Sequence, residues 1–195
     1  MGKRLYPFYF SAIILTAFTI GFLLKQNYEF LLYTFTLGLV IFILAKTDKI
    51  FKYNSFIKWC FSIWLFSHLA GGAFYFNGLR LYDTILINIL GEPFNIFKYD
   101  QLIHIFCFFV FTCLIYSVMV VISKPQSKGW IIMLLALFGR MGIGAINEII
   151  EFSTVVFFNS TGVGGYYNNA LDLFFNLIGS IIAVFYMKNI NLFSK

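Results

Sequence analysis

Polar residues in this chain are gathered into short breaks, and the stretches between them are apolar runs of bilayer length. A helix needs about 20 mostly apolar residues to cross the hydrocarbon core. Runs at 8–24, 28–45, 56–76, 100–122, 130–158 and 169–187 meet or approach that length. Pro7 precedes the first, where a helix start tolerates proline. The breaks are Lys25-Gln26-Asn27, the basic stretch Lys46-Thr47-Asp48-Lys49 with Lys52 and Lys58, the turn at 124–129 and the Gly/Asn loop at 159–168. Between the third and fourth runs the pattern changes. Asn77-Gly78 is a turn signal, and the apolar run at 81–90 is too brief to span before Gly91-Glu92-Pro93 stops it. It reads as an interfacial or re-entrant helix. The fifth run is long enough to tilt or to project beyond the lipid. The pattern predicts an all-α polytopic membrane protein: a single integral-membrane domain over 1–195, with six transmembrane helices and one short interfacial helix.

Composition supports that class. Hydrophobic residues make up 61% and charged residues 11%, against roughly 25% charged in a soluble domain. A basic start followed by an apolar run resembles a signal peptide, but no small-residue cleavage site follows, so the run reads as a retained helix. The net charge of +6 suggests nucleic acid only until its placement is considered. The basic residues fall in the breaks, which is a topology signal and excludes a nucleic-acid face. Counted over alternate breaks, one side receives Lys3, Arg4, Lys46, Lys49, Lys52, Lys58, Lys124, Lys128, Lys188 and Lys195, and the other Lys25, Arg80 and Lys98. Both termini are therefore expected in the cytoplasm, and the heavy use of Phe, Ile, Asn and Lys points to an AT-rich bacterial genome. Cys60, Cys107 and Cys113 lie in apolar runs without a CxxC pattern and read as small buried hydrophobes.

The acidic residues carry the candidate chemistry. Of eight, three lie in or beside apolar sequence: Glu148, Glu151 and Asp172. An ionisable group at membrane depth costs at least ~2.5 kcal/mol and marks function by default. The topology assigns each a depth. Asp100 and His104 share a face at i, i+4 on the first outer turns of the fourth helix. Glu148 and Glu151 come about 26 to 31 Å along the fifth, near its outer end. Asp172 and Asn176 open the sixth, and His68 lies in the outer half of the third. All seven converge on one expected site at the extracytoplasmic leaflet. Asp100 also fits a helix N-cap, and His68 a neutral packing residue. Arg140, about 15 Å up its helix, fits either a carboxylate partner or a phosphate anchor. Three or four acidic oxygens with Asn carbonyls suit Mg²⁺, Mn²⁺ or Ca²⁺. Such an ion would hold a phosphate and leave His104 to move a proton.

Tyr99-Asp100-Gln101-Leu102-Ile103-His104, Asn147-Glu148-Ile149-Ile150-Glu151-Phe152 and Leu171-Asp172-Leu173-Phe174-Phe175-Asn176-Leu177-Ile178-Gly179 together resemble the signature of VanZ-like membrane proteins. With Ser67-His68-Leu69-Ala70-Gly71-Gly72 upstream, the likeness is nearer to the YjdF-like inner-membrane branch. The set is also distantly similar to base-exchange phosphatidylserine synthases. The resemblance covers about residues 60 to 185. It implies His104 as general base, with Glu148 and Asp100 beside it as catalytic residues, and Glu148, Glu151 and Asp172 as ligands of a divalent cation. It further implies a lipid-headgroup substrate, or a glycopeptide-resistance role like that of VanZ proteins. The chain departs from the pattern at Glu151, where Gln is common. It also lacks the Arg usual before the last Asp, having Gly165-Tyr166-Tyr167-Asn168.

The expected function is a membrane-embedded enzyme acting on the phosphoester headgroup of a phospholipid or lipid-linked substrate at the outer leaflet. His68, Arg140, Tyr166, Tyr167, Asn168 and Asn176 are the expected substrate contacts. The competing expectation is a proton- or cation-coupled transporter or flippase.

Overall fold

The computed structural model describes residues 3–92, 94–123, 129–158 and 165–190, with the backbone alone at Lys3, Glu151, Thr154 and Phe158. The predicted turn at 124–128 and the loop at 159–164 lie outside the described residues. Where side chains are apolar on all sides, the backbone must satisfy its own polar groups, and a helix does this within one segment. The chain accordingly forms α1 (Tyr6–Leu24), α2 (Tyr28–Phe51), α3 (Ser55–Ala73), α4 (Tyr99–Ile122), α5 (Gly129–Phe158) and α6 (Tyr166–Asn189), with a two-residue hairpin, β1 (Tyr75–Phe76) and β2 (Leu79–Arg80), after α3. All but α3 are long and apolar enough to cross a membrane. The protein is an all-α, multi-pass membrane protein. Six spans were expected; α3 falls short because Lys58, His68 and three serines dilute its apolar content. Of these, Lys58 and Ser62 are buried against neighbouring helices.

Contacts gather into two units: residues 1–89 with 97–103, and residues 90–96 with 104–195. In the first, α1 packs on both α2 and α3. Ser11 and Ser62 join their hydroxyls at 2.8 Å, and Ser62 also donates to the Pro7 carbonyl at 3.0 Å. Asn27 and Asn54 cap α2 and α3, accepting from the Phe30 and Phe56 amides.

Three expectations are corrected here. α2 was expected to stop at 45, yet it runs to Phe51. The polar stretch that looked like a loop is helical because its groups find partners. Asp48, fully buried, holds Arg4 Nε at 2.5 Å and Lys58 Nζ at 3.3 Å. Lys58 also donates to the Arg4 carbonyl at 2.9 Å. Thr47 bonds Ile43 O at 2.7 Å and the Tyr53 hydroxyl at 3.0 Å, and burial pushes the Tyr53 phenol up from its ordinary value. Second, α3 ends at Ala73, since Tyr75–Phe76 pair with Leu79–Arg80. Asn77 and Gly78, at φ 50 and 80, make the turn that suits a two-residue hairpin.

Third, the predicted short helix at 81–90 is only one 3₁₀ turn, Leu81–Asp83. Its β-branched Thr84, Ile85, Ile87 and Ile89 favour extended backbone. Thr84 O accepts from Tyr99 N and Phe97 O from Leu86 N, both at 2.9 Å, so the segment folds back towards the start of α4.

In the second unit, α5 packs on α6, and α4 meets both. Phe108 of α4 fills the notch at Gly144 of α5, where a Cβ would overlap its ring. Gly179 of α6 lets that helix approach the backbone of α4, since a Cβ there would overlap the Ile105 carbonyl. Close approach through small residues is the usual way helices associate without a hydrophobic drive.

Candidate functional site

The close approach at Gly179 sets the geometry of the site. Asn176 lies three residues before Gly179 on α6, and His104 one residue before Ile105 on α4. Their side chains meet: His104 Nδ1 and Asn176 Oδ1 are 2.9 Å apart. Farther along both helices Thr112 donates to Ser180 at 3.1 Å, so α4 and α6 run in the same direction, as the expected alternation of spans requires. Counting from the helix starts, His104 and Asp172 both lie about 8 to 9 Å in, roughly two turns.

With Asn176 Oδ1 as acceptor, His104 carries its proton on Nδ1 and turns Nε2 towards Asp172. Nε2 and Asp172 Oδ1 are 3.9 Å apart. That is too long for a hydrogen bond, and it leaves the imidazole nitrogen and the carboxylate oxygen close enough for one cation to contact both. The other Asp172 oxygen accepts from Asn168 at 2.7 Å, one turn earlier on α6, which orients the carboxylate. Asp172 is 1% exposed and Asn176 fully buried. Asn176 Nδ2 has no hydrogen-bond acceptor among the described residues, so the site keeps one buried donor for an incoming oxygen. Asp100 stands one turn before His104 on α4, and the two offer ligand atoms within 4.8 Å of each other.

The remaining expected site residues divide among several places. Glu148 sits about 28 Å along α5, half-buried, with both carboxylate oxygens shielded from solvent. The group of three possible ligands that gathers among the described residues is Asp100, His104 and Asp172. The Glu151 side chain lies outside the described residues. Tyr166 and Tyr167 stand exposed on the first turn of α6, where Tyr167 meets the Phe94 ring edge-on at 5.3 Å. Arg140 is 5% exposed. Its guanidinium lies 3.7 Å from the Phe108 ring centre and 5.0 Å from that of Phe111, and it donates to Cys107 Sγ at 3.1 Å. Among the described residues its partners are these aromatic faces and the Cys107 sulfur. Such an arrangement is worth on the order of 2 kcal/mol when desolvated.

His68 belongs to the first unit. Its Nδ1 meets the Tyr82 hydroxyl at 2.5 Å, and it stacks on Trp64 at 5.4 Å with Phe30 and Tyr33 at 6.0 and 5.8 Å. Gly71 and Gly72 make room for Tyr82 and Phe30 against α3.

Sequence reasoning missed two residues of consequence. Gln101, 1% exposed, accepts from the Phe97 and Lys98 amides at 2.7 and 3.0 Å. It performs the capping task expected of Asp100, which lies instead inside the first turn of α4. Gln two or three residues into a helix is the available signal, because such a side chain can reach back to the preceding amides. Asp48 was read as a loop residue. A lone acid among Lys46, Lys49, Lys52 and Lys58 was its only mark.

A family profile described as "Predicted membrane protein (DUF2238)" matches residues 6–191. No curated protein matches the chain, and no solved structure does.

Proposed function

We propose, for a chain that belongs to the DUF2238 family of predicted membrane proteins, that the His104–Asp172 pair is the reactive centre of a membrane-embedded enzyme. Its substrate is the phosphoester headgroup of a phospholipid or lipid-linked molecule. The observation that carries the reading is Nε2 of His104 facing Asp172 Oδ1 at 3.9 Å, beside the buried amide donor of Asn176. A divalent cation would be held by His104 Nε2 and Asp172, with Asp100 on the preceding turn of α4. The nitrogen ligand favours Mn²⁺ or Zn²⁺ over Mg²⁺ or Ca²⁺. Bound there, it supplies charge to polarise a phosphoryl oxygen. Asn176 fixes the imidazole through Nδ1 and offers Nδ2 to a substrate oxygen, and Asn168 holds the carboxylate in place, as outer-shell partners of a metal site do.

His104 thereby becomes a ligand and not the general base that the VanZ-like motif implies, though the motif still supports a lipid-linked substrate. Cytoplasmic termini, a bacterial inner membrane and a site facing the extracytoplasmic side complete the proposal, and rest on the distribution of Lys and Arg. A second reading, a cation-coupled transporter, draws on the Thr112–Ser180 bond, which continues the polar seam beyond His104.

The test is made on purified full-length protein with Mn²⁺ or Zn²⁺ and phospholipid vesicles. Wild type is expected to retain the metal and to change a headgroup, detected by mass spectrometry of the lipids. His104→Ala and Asp172→Asn should each lower metal affinity at least tenfold and remove turnover. Full activity in both variants would sink the enzyme reading. Metal-dependent uptake into vesicles without any headgroup change would replace it with the transporter.

A further inference from the structure

A second feature lies in the first unit, independent of His104. Between α1 and the end of α3 runs a groove of about 270 Å³, lined by Ala17, Phe18, Gly21, Phe22, Lys25, Ala73 and Phe74. Its floor is made by small residues. Gly21 has nothing within 4 Å of where a Cβ would stand, so the space is open at that point. Its walls are aromatic: Phe18 meets Phe22 at 6.0 Å and Phe74 at 6.2 Å. From Ala17 to Lys25 the groove follows α1 for about 12 Å.

Lys25 closes one end. It is the first residue past the apolar span of α1, the depth at which a lysine meets lipid headgroups. Its Nζ donates to the Ala73 carbonyl at 3.1 Å, which orients it across the groove mouth and leaves two of three ammonium donors for another acceptor. Among the described residues no carboxylate pairs with it. Arg80, by contrast, is neutralised by Asp83 at 3.2 Å and Glu29 at 3.9 Å. The result is an apolar slot that ends at one uncompensated positive charge, in a protein surrounded by lipid.

We propose that this groove binds one acyl chain of an anionic glycerophospholipid, with the lipid phosphate resting on Lys25. The chain supplies apolar length to match the slot, and the phosphate supplies the missing charge.

The probe is phosphatidylglycerol with a photoactivatable group in one acyl chain, incorporated into vesicles holding the full-length protein. Labelling is expected on peptides containing 17–25 and 73–74. Lys25→Gln, a change at an exposed position that spares the fold, should lower labelling there several-fold. Gly21→Leu, which fills the open floor, should abolish it. Gly142→Leu on α5, also open around its Cα, should leave it unchanged. Unaltered labelling in Lys25→Gln would overturn the headgroup assignment, as would equal labelling by the phosphatidylcholine analogue. Labelling elsewhere on the chain would overturn the groove itself.

Discussion

Asp48 and Lys58 illustrate how a polar residue survives in an apolar chain. Their side chains are 0% and 3% exposed, and they pair with each other while Arg4 adds its guanidinium to Asp48 and its carbonyl to Lys58. Removing one partner of such a pair leaves an uncompensated buried charge, a loss of about 3–5 kcal/mol. Asp48→Ala should therefore lower the melting temperature of the purified protein sharply. The double change Asp48→Leu with Lys58→Met should recover most of that loss, since an apolar pair of similar volume carries no desolvation cost. A double variant as unstable as Asp48→Ala would show that the pair is not the source. Arg140 solves the same problem differently, trading a carboxylate for the faces of Phe108 and Phe111.

At the scale of elements, the glycines of α5 and α6 separate into those that hold helices together and those that do not. A Cβ at Gly179 would overlap the Ile105 carbonyl, which is backbone and cannot rotate away, whereas one at Gly142 would meet nothing within 4 Å. Gly179→Ala should force α4 and α6 apart and destabilise by about 1–3 kcal/mol. It should also weaken metal binding at His104, because the His104–Asn176 bond depends on that approach. Gly142→Ala should be neutral or stabilise by roughly 0.5–1 kcal/mol, since alanine loses less backbone freedom in a helix. Thermal unfolding of the two variants, read side by side, checks the contrast. Equal effects would refute the close approach. The sequence does not separate the two glycines, because the difference depends on which helix faces meet, and only Gly179 stands against a neighbouring backbone.

For the whole molecule, the testable quantity is topology. The excess of Lys and Arg on one set of breaks predicts cytoplasmic termini. Arg4, Asp48 and Lys58 bring the start of α1, the end of α2 and the start of α3 to one end of the first unit. A fluorescent protein fused after Lys195 should fluoresce, and alkaline phosphatase fused there should be inactive. A cysteine at Asn77 should react with an impermeant maleimide from outside the cell. The opposite pattern would invert the orientation.

The apolar runs by themselves determined that the chain is helical, that it lies in a membrane and where the long helices start, because an apolar run of about 20 residues satisfies its own backbone in hydrocarbon only as a helix. They also marked Asp100, His104, Asp172 and Asn176 as chemically unusual, since polar groups are costly at membrane depth. What the runs left open was partnership. The continuation of α2 to Phe51, the turn in place of the short helix, the aromatic cages of Arg140 and His68, and the pairing of His104 with α6 were decided by tertiary structure. Each depends on contacts between residues far apart in sequence, to which a hydrophobic period is blind. Of the seven polar residues expected at one depth, His104 and Asn176 meet, with Asp172 one turn earlier on α6, because Gly179 lets two helices touch.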